Sequence, residues 1–422
     1  MRIVLKTILA ILARLTLLRY KPKIVGITGS VGKTSAKEAV SLVLSSRYRV
    51  RSSYENYNNE IGLPLSIIGE YSAGKNFFAW LLIVLKALLK LFTFRYPQIL
   101  VLEMGSDRSG DIEYLVSVVS KLDAVVLTDI GISHLEFFAS ASALAKEKLS
   151  ITKGLSKEGV AIANFDNDRI RENLNMDKYR VISYGFGPNC LVVATDFHLL
   201  NEHSVWGLNF KVHHAGTVVP FFLPNALGKP SVYASLAAAA VGLHFGINLV
   251  DASESLSKLT PLAGRLRFLA GIKHTSIIDD SYNAAPSSTL VALETLAAIA
   301  PGRKIVALGD MAELGRAGEE GHKLVAAKIL ELSVNTVFLI GEQVKIIQDE
   351  LASKKFNGQV FLFENADDAR IPIQNFLLPN DTILIKGSQA ARMEKIVKET
   401  MADPLKAEEL LVRQSKKWLE KP

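Results

Sequence analysis

From residue 23 onward the chain alternates short apolar runs with longer stretches of helical periodicity. "KIVGIT", "QILVLEMG", "DAVVLTDI" and "GVAIANFD" are Val/Ile/Leu-rich runs of strand length, bounded by polar or glycine-containing turns. Runs that are apolar on both faces predict parallel strands with helices over each side of the sheet. Residues 181–224 change character: "LNFKVHHAGTVVPFFLP" alternates apolar and polar positions, which predicts an antiparallel flank or insert. "SVYASLAAAAVGLHFGI" (231–247) is a small-residue helix suited to close packing. After "LTPLAGRLRF" a second α/β series begins, with "TSIIDD", "KIVALGD", "TVFLIG", "QVFLFE" and "TILIKGS" as its strands. The pattern therefore predicts two α/β domains, over residues 23–262 and 263–422, with a charged amphipathic surface helix in the last twenty or so residues.

Two apolar segments interrupt this order. Residues 1–20, "MRIVLKTILAILARLTLLRY", carry Lys6, Arg14 and Arg19, and their longest uncharged stretch, Thr7 to Ala13, is too short to cross a bilayer. No small-residue cleavage site precedes the strand at residue 23, which argues against a signal peptide. Residues 77–94, "FFAWLLIVLKALLKLFTF", have the length of a spanning helix, but Lys86 and Lys90 share one face and would be costly in mid-bilayer. An N-terminal apolar helix over 1–22 and an apolar helical insert over 77–94 are expected. Each either lies at a membrane interface or packs on the rest of the protein, and the residue pattern leaves both open.

Composition adds bounds rather than detail. With 49% hydrophobic and 22% charged residues the chain is a folded protein, and 422 residues suffice for two or three cores. The net charge of +7 is concentrated near the N-terminus, and no Lys/Arg run is interleaved with aromatics, so no nucleic-acid partner is expected. The single cysteine, Cys190, excludes an intramolecular disulfide and a cysteine-based zinc site. A monomeric cytoplasmic protein is expected, touching the inner face of the membrane through 1–20 and 77–94 if those helices are interfacial.

Candidate chemistry begins at "TGSVGKTS" (28–35), between an apolar strand and a helix-forming stretch. Backbone amides across Gly29, Ser30, Val31, Gly32, Lys33, Thr34 and Ser35 suit a phosphate cradle, because glycines allow an approach that a Cβ would block. Lys33 supplies charge to the β/γ-phosphates and the Thr34 hydroxyl is placed for Mg²⁺. The match is to the short G-x-x-G-K-T core, since Ile27 stands where the longer pattern has glycine. The first domain is thus expected to be a P-loop domain with a mostly parallel sheet, and the second a Rossmann-like α/β domain.

Carboxylates are expected at neighbouring strand ends. Glu103 closes "QILVLE" as a natural metal ligand, or as a loop cap. His134 in "DIGISHLEFFAS" is a candidate ligand for a second cation, or a structural histidine, and Lys146 in "ALAKEKLSI" sits on the following helix. Asn56, Asn58 and Asn59 in "NYNNEIGLPLS" form a polar, shaped turn suited to a substrate. "IIDDSYNAAPSS", "ALGDMAELG" and "LIKGSQAARME" lie at strand ends of the second domain, where open α/β sheets bind ligands.

Taken together and in this order, "GITGSVGKTS", "NYNNEIGLPL", "EMGSDRSGDI", "SHLEFFAS", "ANFDND", "GRLRF", "DDSYNAAPSS", "LGDMAELG" and "IKGS" resemble the Mur ligase superfamily, and within it the MurF type, from about residue 24 to 395. The resemblance implies an ATP- and Mg²⁺-dependent ligase of peptidoglycan synthesis that joins D-Ala-D-Ala to a muramyl-peptide acceptor through an acyl phosphate. Lys33 and Thr34 would then grip ATP and Mg²⁺. Glu103 and His134 would hold a second Mg²⁺, and Lys146 would match the lysine that family members carbamylate. Asn164 and Asp168 would contact the nucleoside, Arg265 would reach the phosphates, and Asp280, Tyr282 and Asn283 would close over the nucleotide. Lys386 and Ser388 would lie on the incoming-amine side.

Departures bear on the substrate. MurF-type enzymes carry an N-terminal domain for the UDP-sugar, whereas only residues 1–22 precede the P-loop strand here, so that domain is expected to be missing. Pro230, Ser231 and Ala234 stand where the family favours His and Asn, Ala285 replaces an Asn, and Glu147 and Lys148 stand where Gly-Glu is usual. A membrane-associated amide ligase of the poly-γ-glutamate or folyl-polyglutamate kind is an alternative, although "NYNNEIGLPL" and "DDSYNAAPSS" favour MurF. A P-loop switch or non-catalytic scaffold is the alternative from another class.

Overall fold

The computed structural model describes residues 2–420 except 55–56, 94, 132–139, 203–204, 313 and 316–317. Every apolar run quoted above is a strand. In the first domain these are β1 (Lys23–Thr28), β2 (Val50–Ser52), β3 (Ile99–Glu103), β4 (Leu122–Leu127), β5 (Leu155–Asn164), β6 (Arg180–Gly185), β7 (Val192–Glu202), β8 (Val205–His214) and β9 (Thr217–Pro224). They form one sheet in the order β2-β3-β1-β4-β5-β6-β7-β8-β9, parallel as far as β7 and antiparallel from β7 to β9. The alternation read in 181–224 is therefore the antiparallel flank of a single sheet.

The helices of this domain are α1 (Arg2–Tyr20), α2 (Lys33–Ser45), α3 (Gly62–Ile68), α4 (Phe77–Lys90), α5 (Asp111–Val119), α6 (Ala141–Leu149), α7 (Asp168–Asn173), α8 (Lys229–His244) and α9 (Leu249–Leu256). Strand side chains alternate between two layers, as a period of two requires. Val25, Ile27, Val101 and Val126 pack on α2, α8 and α9, while Ile24, Leu100, Leu102 and Val125 pack on α1, α3 and α5. The alanines of α8 permit its close contact with α2: a Cβ on Gly242 would come within 2.9 Å of Val43. Helices α1 and α4 share a small core with α3 through Leu9, Leu12, Leu65, Ile68, Ile83 and Ala87. The inner faces of both apolar segments are thus packed within the protein, and their outer faces remain in solvent.

The second sheet contains β10 (Arg267–Ala270), β11 (Ser276–Asp280), β12 (Lys304–Gly309), β13 (Thr336–Ile340), β14 (Gln359–Phe363) and β15 (Thr382–Lys386), in the order β10-β11-β15-β12-β13-β14. All its pairings are parallel except β10 with β11. Helix α10 (Pro286–Ile299) follows the polar turn after β11.

The C-terminal helix expected from the sequence does not form. Four-residue helices at Ala407–Leu410 and Lys416–Leu419 are separated by non-helical backbone in which Arg413 has φ 59°. The Arg413 guanidinium is drawn inward, donating to the Ser281 carbonyl at 3.1 Å, to the Tyr282 carbonyl and to Glu394 Oε2 at 3.1 Å. A buried guanidinium without such partners would be costly, so these tertiary contacts override the local helical pattern.

Candidate active site

The loop between β1 and α2 is shaped by two glycines. Gly29 has φ 152°, and a Cβ there would lie 2.1 Å from Thr128 Oγ1 at the end of β4. Gly32 has φ 84° and starts α2, so the following amides open toward the cavity in front of the sheet. Thr128 Oγ1 pins the loop by donating to the Val31 carbonyl at 2.7 Å. Lys33 Nζ folds back onto its own loop, donating to the carbonyls of Gly29 (2.8 Å) and Ser30 (3.1 Å). Burial holds its ammonium below the ordinary lysine range, with Glu103 opposing that shift. Ser30 Oγ is buried and has no hydrogen-bond partner. An orphaned hydroxyl, a lysine satisfied only by its own loop and a cradle too tight for a Cβ all suit a polyphosphate.

Glu103 ends β3 beside this loop. Its Oε2 accepts from Thr34 Oγ1 at 3.1 Å and its Oε1 from Asn58 Nδ2 at 3.0 Å. Asn58 therefore presents the carboxylate, while Asn59 Oδ1 accepts from the amides of Ile61 and Gly62 and shapes the start of α3. Asn56 lies outside the described residues, as does His134. No group of three His, Cys, Asp or Glu side chains converges among the described residues. A hydroxyl and one carboxylate beside a phosphate cradle nevertheless fit Mg²⁺, which keeps its waters and takes one or two carboxylates together with substrate phosphates.

Lys146 is not at the site. It is exposed, on the solvent side of α6, and does not line the cavity. Lys148 does: it is buried, and its Nζ donates to Ser106 Oγ at 2.7 Å. Positions two apart on a helix point about 200° from each other, and Leu144, Ala145 and Leu149 set the buried face to which Lys148 belongs. That register was legible in "ALAKEKLS" and is what separates the two lysines. Burial, reinforced by nearby Lys33, pushes the Lys148 ammonium down to about 7. Glu147, between them, accepts from the amides of Gly110 (2.8 Å) and Ile112 (2.8 Å) and so holds the start of α5.

On the far side of the P-loop, Asn164 ends β5 and lines the cavity. Asp168 does not line it; it is mostly exposed and pairs with Arg171 on the outside of α7. The preceding residues line it instead: Asn167 Nδ2 donates to Asp129 Oδ1 at 2.6 Å, and Asp166 accepts from the Phe186 amide (2.6 Å) and Tyr233 Oη (2.9 Å). Burial raises the Asp129 carboxyl above its usual range. Asn167 caps α7, so its carbonyl oxygen is committed to the Ile170 amide and its NH₂ to the cavity side.

The second domain supplies the opposite wall. Arg265 Nη2 lies 3.4 Å from Thr34 Oγ1, with its guanidinium 4.2 Å from the Tyr282 ring centroid. Asp280 ends β11 and is bound to Lys386 Nζ at 2.5 Å and to the Leu266 amide at 3.1 Å; Lys386 also donates to the Asn283 carbonyl at 2.9 Å. Lys386 reaches the cavity but is held by these two acceptors, so it fixes the turn that carries Tyr282 and Asn283. Ser388 is buried, its amide on the Asp310 carbonyl at 2.9 Å, and it is not among the residues lining the cavity; Gln389 is. The cavity between the domains has a volume of about 1440 Å³. That exceeds the roughly 300–1,000 Å³ of a single small-molecule site and suits several reactants held together.

Residues 82–242 match the family model "Mur ligase middle domain", and residues 264–389 match "Mur ligase, glutamate ligase domain". The UDP-N-acetylmuramoyl-tripeptide–D-alanyl-D-alanine ligase of Bacillus subtilis (strain 168) is 32% identical over 401 residues, covering 94% of this chain and 80% of that protein. Among solved structures, MurF from Acinetobacter baumannii superposes with a TM-score of 0.77 at 25% identity, covering 92% of this chain and 79% of that one. MurF ligase from Thermotoga maritima in complex with ADP has the same fold, with a TM-score of 0.77 at 24% identity, covering 93% and 83%.

Proposed function

The chain belongs to the Mur ligase family, and on that premise we propose that it is an ATP-dependent ligase joining D-alanyl-D-alanine to a UDP-N-acetylmuramoyl-tripeptide. The observation that carries this reading is the approach of Arg265 to Thr34 across the domain junction, which puts a phosphate cradle and a second-domain cation on one cavity. The acceptor carboxylate attacks the γ-phosphorus of ATP, and ADP leaves with the electrons of the broken P–O bond. The amine of the dipeptide then attacks the acyl carbon, phosphate leaves, and the amine proton passes to solvent or phosphate. Activation is needed because a carboxylate is a poor electrophile.

Each side chain has a role in that sequence. Lys33 exchanges its own loop carbonyls for γ-phosphate oxygens, and Arg265 approaches from the other domain as charge develops there. Thr34 and Glu103 would hold Mg²⁺, which supplies charge neutralisation at the phosphates. Lys148 replaces Lys146 as the lysine that would be carbamylated, becoming with Glu103 and His134 a carboxylate-bearing ligand set for a second ion. Its neutral amine would add to CO₂, forming an N–C bond and releasing one proton. Asn164, Asn167 and Asp129 take the nucleoside side, and Asn58 and Asn59 border the acceptor. The walls of both domains keep water from the acyl phosphate.

Phosphate release by the purified protein with ATP, UDP-muramoyl-tripeptide and D-Ala-D-Ala, with mass detection of the product, tests the reading. Release that requires both substrates, with a product heavier by the dipeptide less water, is expected. Release with glutamate in place of the dipeptide would move the protein to the folyl- or poly-γ-glutamate kind of ligase.

A further inference from the structure

The outer layer formed by α1 and α4 carries a second feature. The helices lie side by side, with Tyr20 Oη donating to the Thr93 carbonyl at 2.8 Å and Arg19 Nε to the Leu91 carbonyl at 3.4 Å. Away from their shared core each keeps an apolar stripe at three- and four-residue spacing. Ile11, Leu15 and Leu18 on α1 and Phe78, Leu81 and Leu85 on α4 are between 42% and 79% exposed. Exposed apolar stripes on two helices that share a core are more than scattered exposed leucines and mark an interaction site.

Charge identifies what covers it. Residues 1–22 and 71–96 contain nine of the 49 basic residues and none of the 42 acidic ones. They therefore account for more than the whole net charge of +7, and the rest of the chain is close to neutral. Lys21, Lys75, Lys86 and Arg95 are exposed around the stripes. A second copy of this chain, at net +7, would offer no matching excess of acid. An anionic lipid surface offers it everywhere, with an apolar interior beneath. No helix among the described residues is long and apolar enough to cross a membrane.

We infer that α1 and α4 together dock on an anionic lipid bilayer, with the apolar stripes at the acyl boundary and the surrounding lysines and arginines at headgroup phosphates. Lys6, on the inner face of the same helix, lines the catalytic cavity and sits 3.8 Å from the Tyr114 ring centroid, so α1 carries the stripe on one side and borders that cavity on the other. The inference does not depend on which amide the enzyme forms.

Flotation of the purified full chain tests it, with vesicles of phosphatidylcholine alone and of phosphatidylcholine with equimolar phosphatidylglycerol. The protein is expected to float with the anionic vesicles, to stay down with the neutral ones, and to lose binding at high salt. Leu81→Glu with Leu85→Glu is expected to abolish flotation, and circular dichroism and thermal melting check that the double variant is folded. Lys86→Gln and Lys75→Gln, which leave the apolar surface intact, are each expected to weaken binding roughly five-fold. Absence of flotation with anionic vesicles, or flotation indifferent to all these variants, overturns the inference. A dimer in sedimentation analysis that Leu81→Glu/Leu85→Glu dissociates, without lipid binding, assigns the face to a second copy instead.

Discussion

Arg265 of the second domain places its Nη2 3.4 Å from Oγ1 of Thr34 in the first, held there by the face of Tyr282. Two side chains 231 positions apart thus meet where the γ-phosphate of ATP is proposed to lie. Replacing Arg265 by Ala is expected to lower kcat by about 10²- to 10³-fold with a smaller change in the KM for ATP, as for loss of one donor to developing charge. Arg265→Lys should recover little, because an ammonium lacks the planar fork and the stacking surface. Steady-state kinetics at saturating acceptor and dipeptide give the answer, and a kcat within a factor of a few of wild type would remove Arg265 from the mechanism.

The two lysines of α6 separate the sequence reading from the structural one. Lys148→Ala is expected to reduce turnover by at least about 10²-fold, whereas Lys146→Ala, at an exposed position off the cavity, should stay near wild type. If Lys148 acts as a carbamate, short-chain carboxylic acids added to Lys148→Ala should restore part of the activity and leave Lys146→Ala unchanged. The reverse pattern would return the role to Lys146.

Asp280 and Lys386 form a buried pair at 2.5 Å that ties β11 to β15 below the turn of Tyr282 and Asn283. Lys386→Met leaves the Asp280 carboxylate without its cation and should destabilise the protein by about 3–5 kcal/mol. Removing both charges, as in Asp280→Leu/Lys386→Met, is expected to cost less than the single change. Urea melts of the three proteins distinguish a structural pair from two independent groups, for which the costs would add.

Asp279 predicts a pH dependence of stability. Burial raises its carboxyl to about 6 from an ordinary value of 3.8, although Ser281 and the Gly264 amide donate to it. Between those values the folded protein holds a proton that the unfolded chain has released. The stabilisation is therefore complete below 3.8 and lost as pH rises through 6, by up to about 3 kcal/mol. Asp279→Asn should flatten that part of the stability profile, although its NH₂ would oppose the Gly264 N–H and lower stability overall. Denaturant melts of both proteins from pH 4 to 7 measure the difference in slope; identical slopes would show that Asp279 does not titrate in this range.

Much of the fold was legible because its signals are local. Each Val/Ile/Leu run became a strand, most of them buried on both faces, with β14 at the sheet edge leaving Phe361 and Leu362 partly exposed, and the glycines of "GSVGK" announced a tight turn. The C-terminal stretch misled for the opposite reason: its helical pattern is real, but Arg413 is more strongly engaged by Ser281, Tyr282 and Glu394 than its backbone is by its neighbours. At the site, Lys33, Thr34, Glu103, Asn58, Asn164 and Arg265 were found by motif and face the cavity as expected. Asp168 and Lys146 turn away from the cavity while Asn167 and Lys148 line it, because a motif fixes a neighbourhood and the local helix register decides which side chain turns inward.

Sequence by itself determined the order of strands and helices, the phosphate loop and the family of chemistry, all of which reside in short stretches whose physics is complete within a few residues. Tertiary structure decided which residues meet. It moved the inward lysine to Lys148, tied Lys386 to Asp280, gave Asp129 and Asn167 a place beside the P-loop, and joined α1 to α4 as one layer. Those outcomes depend on burial and on approach between segments distant in the chain, and neither is written in any stretch taken alone.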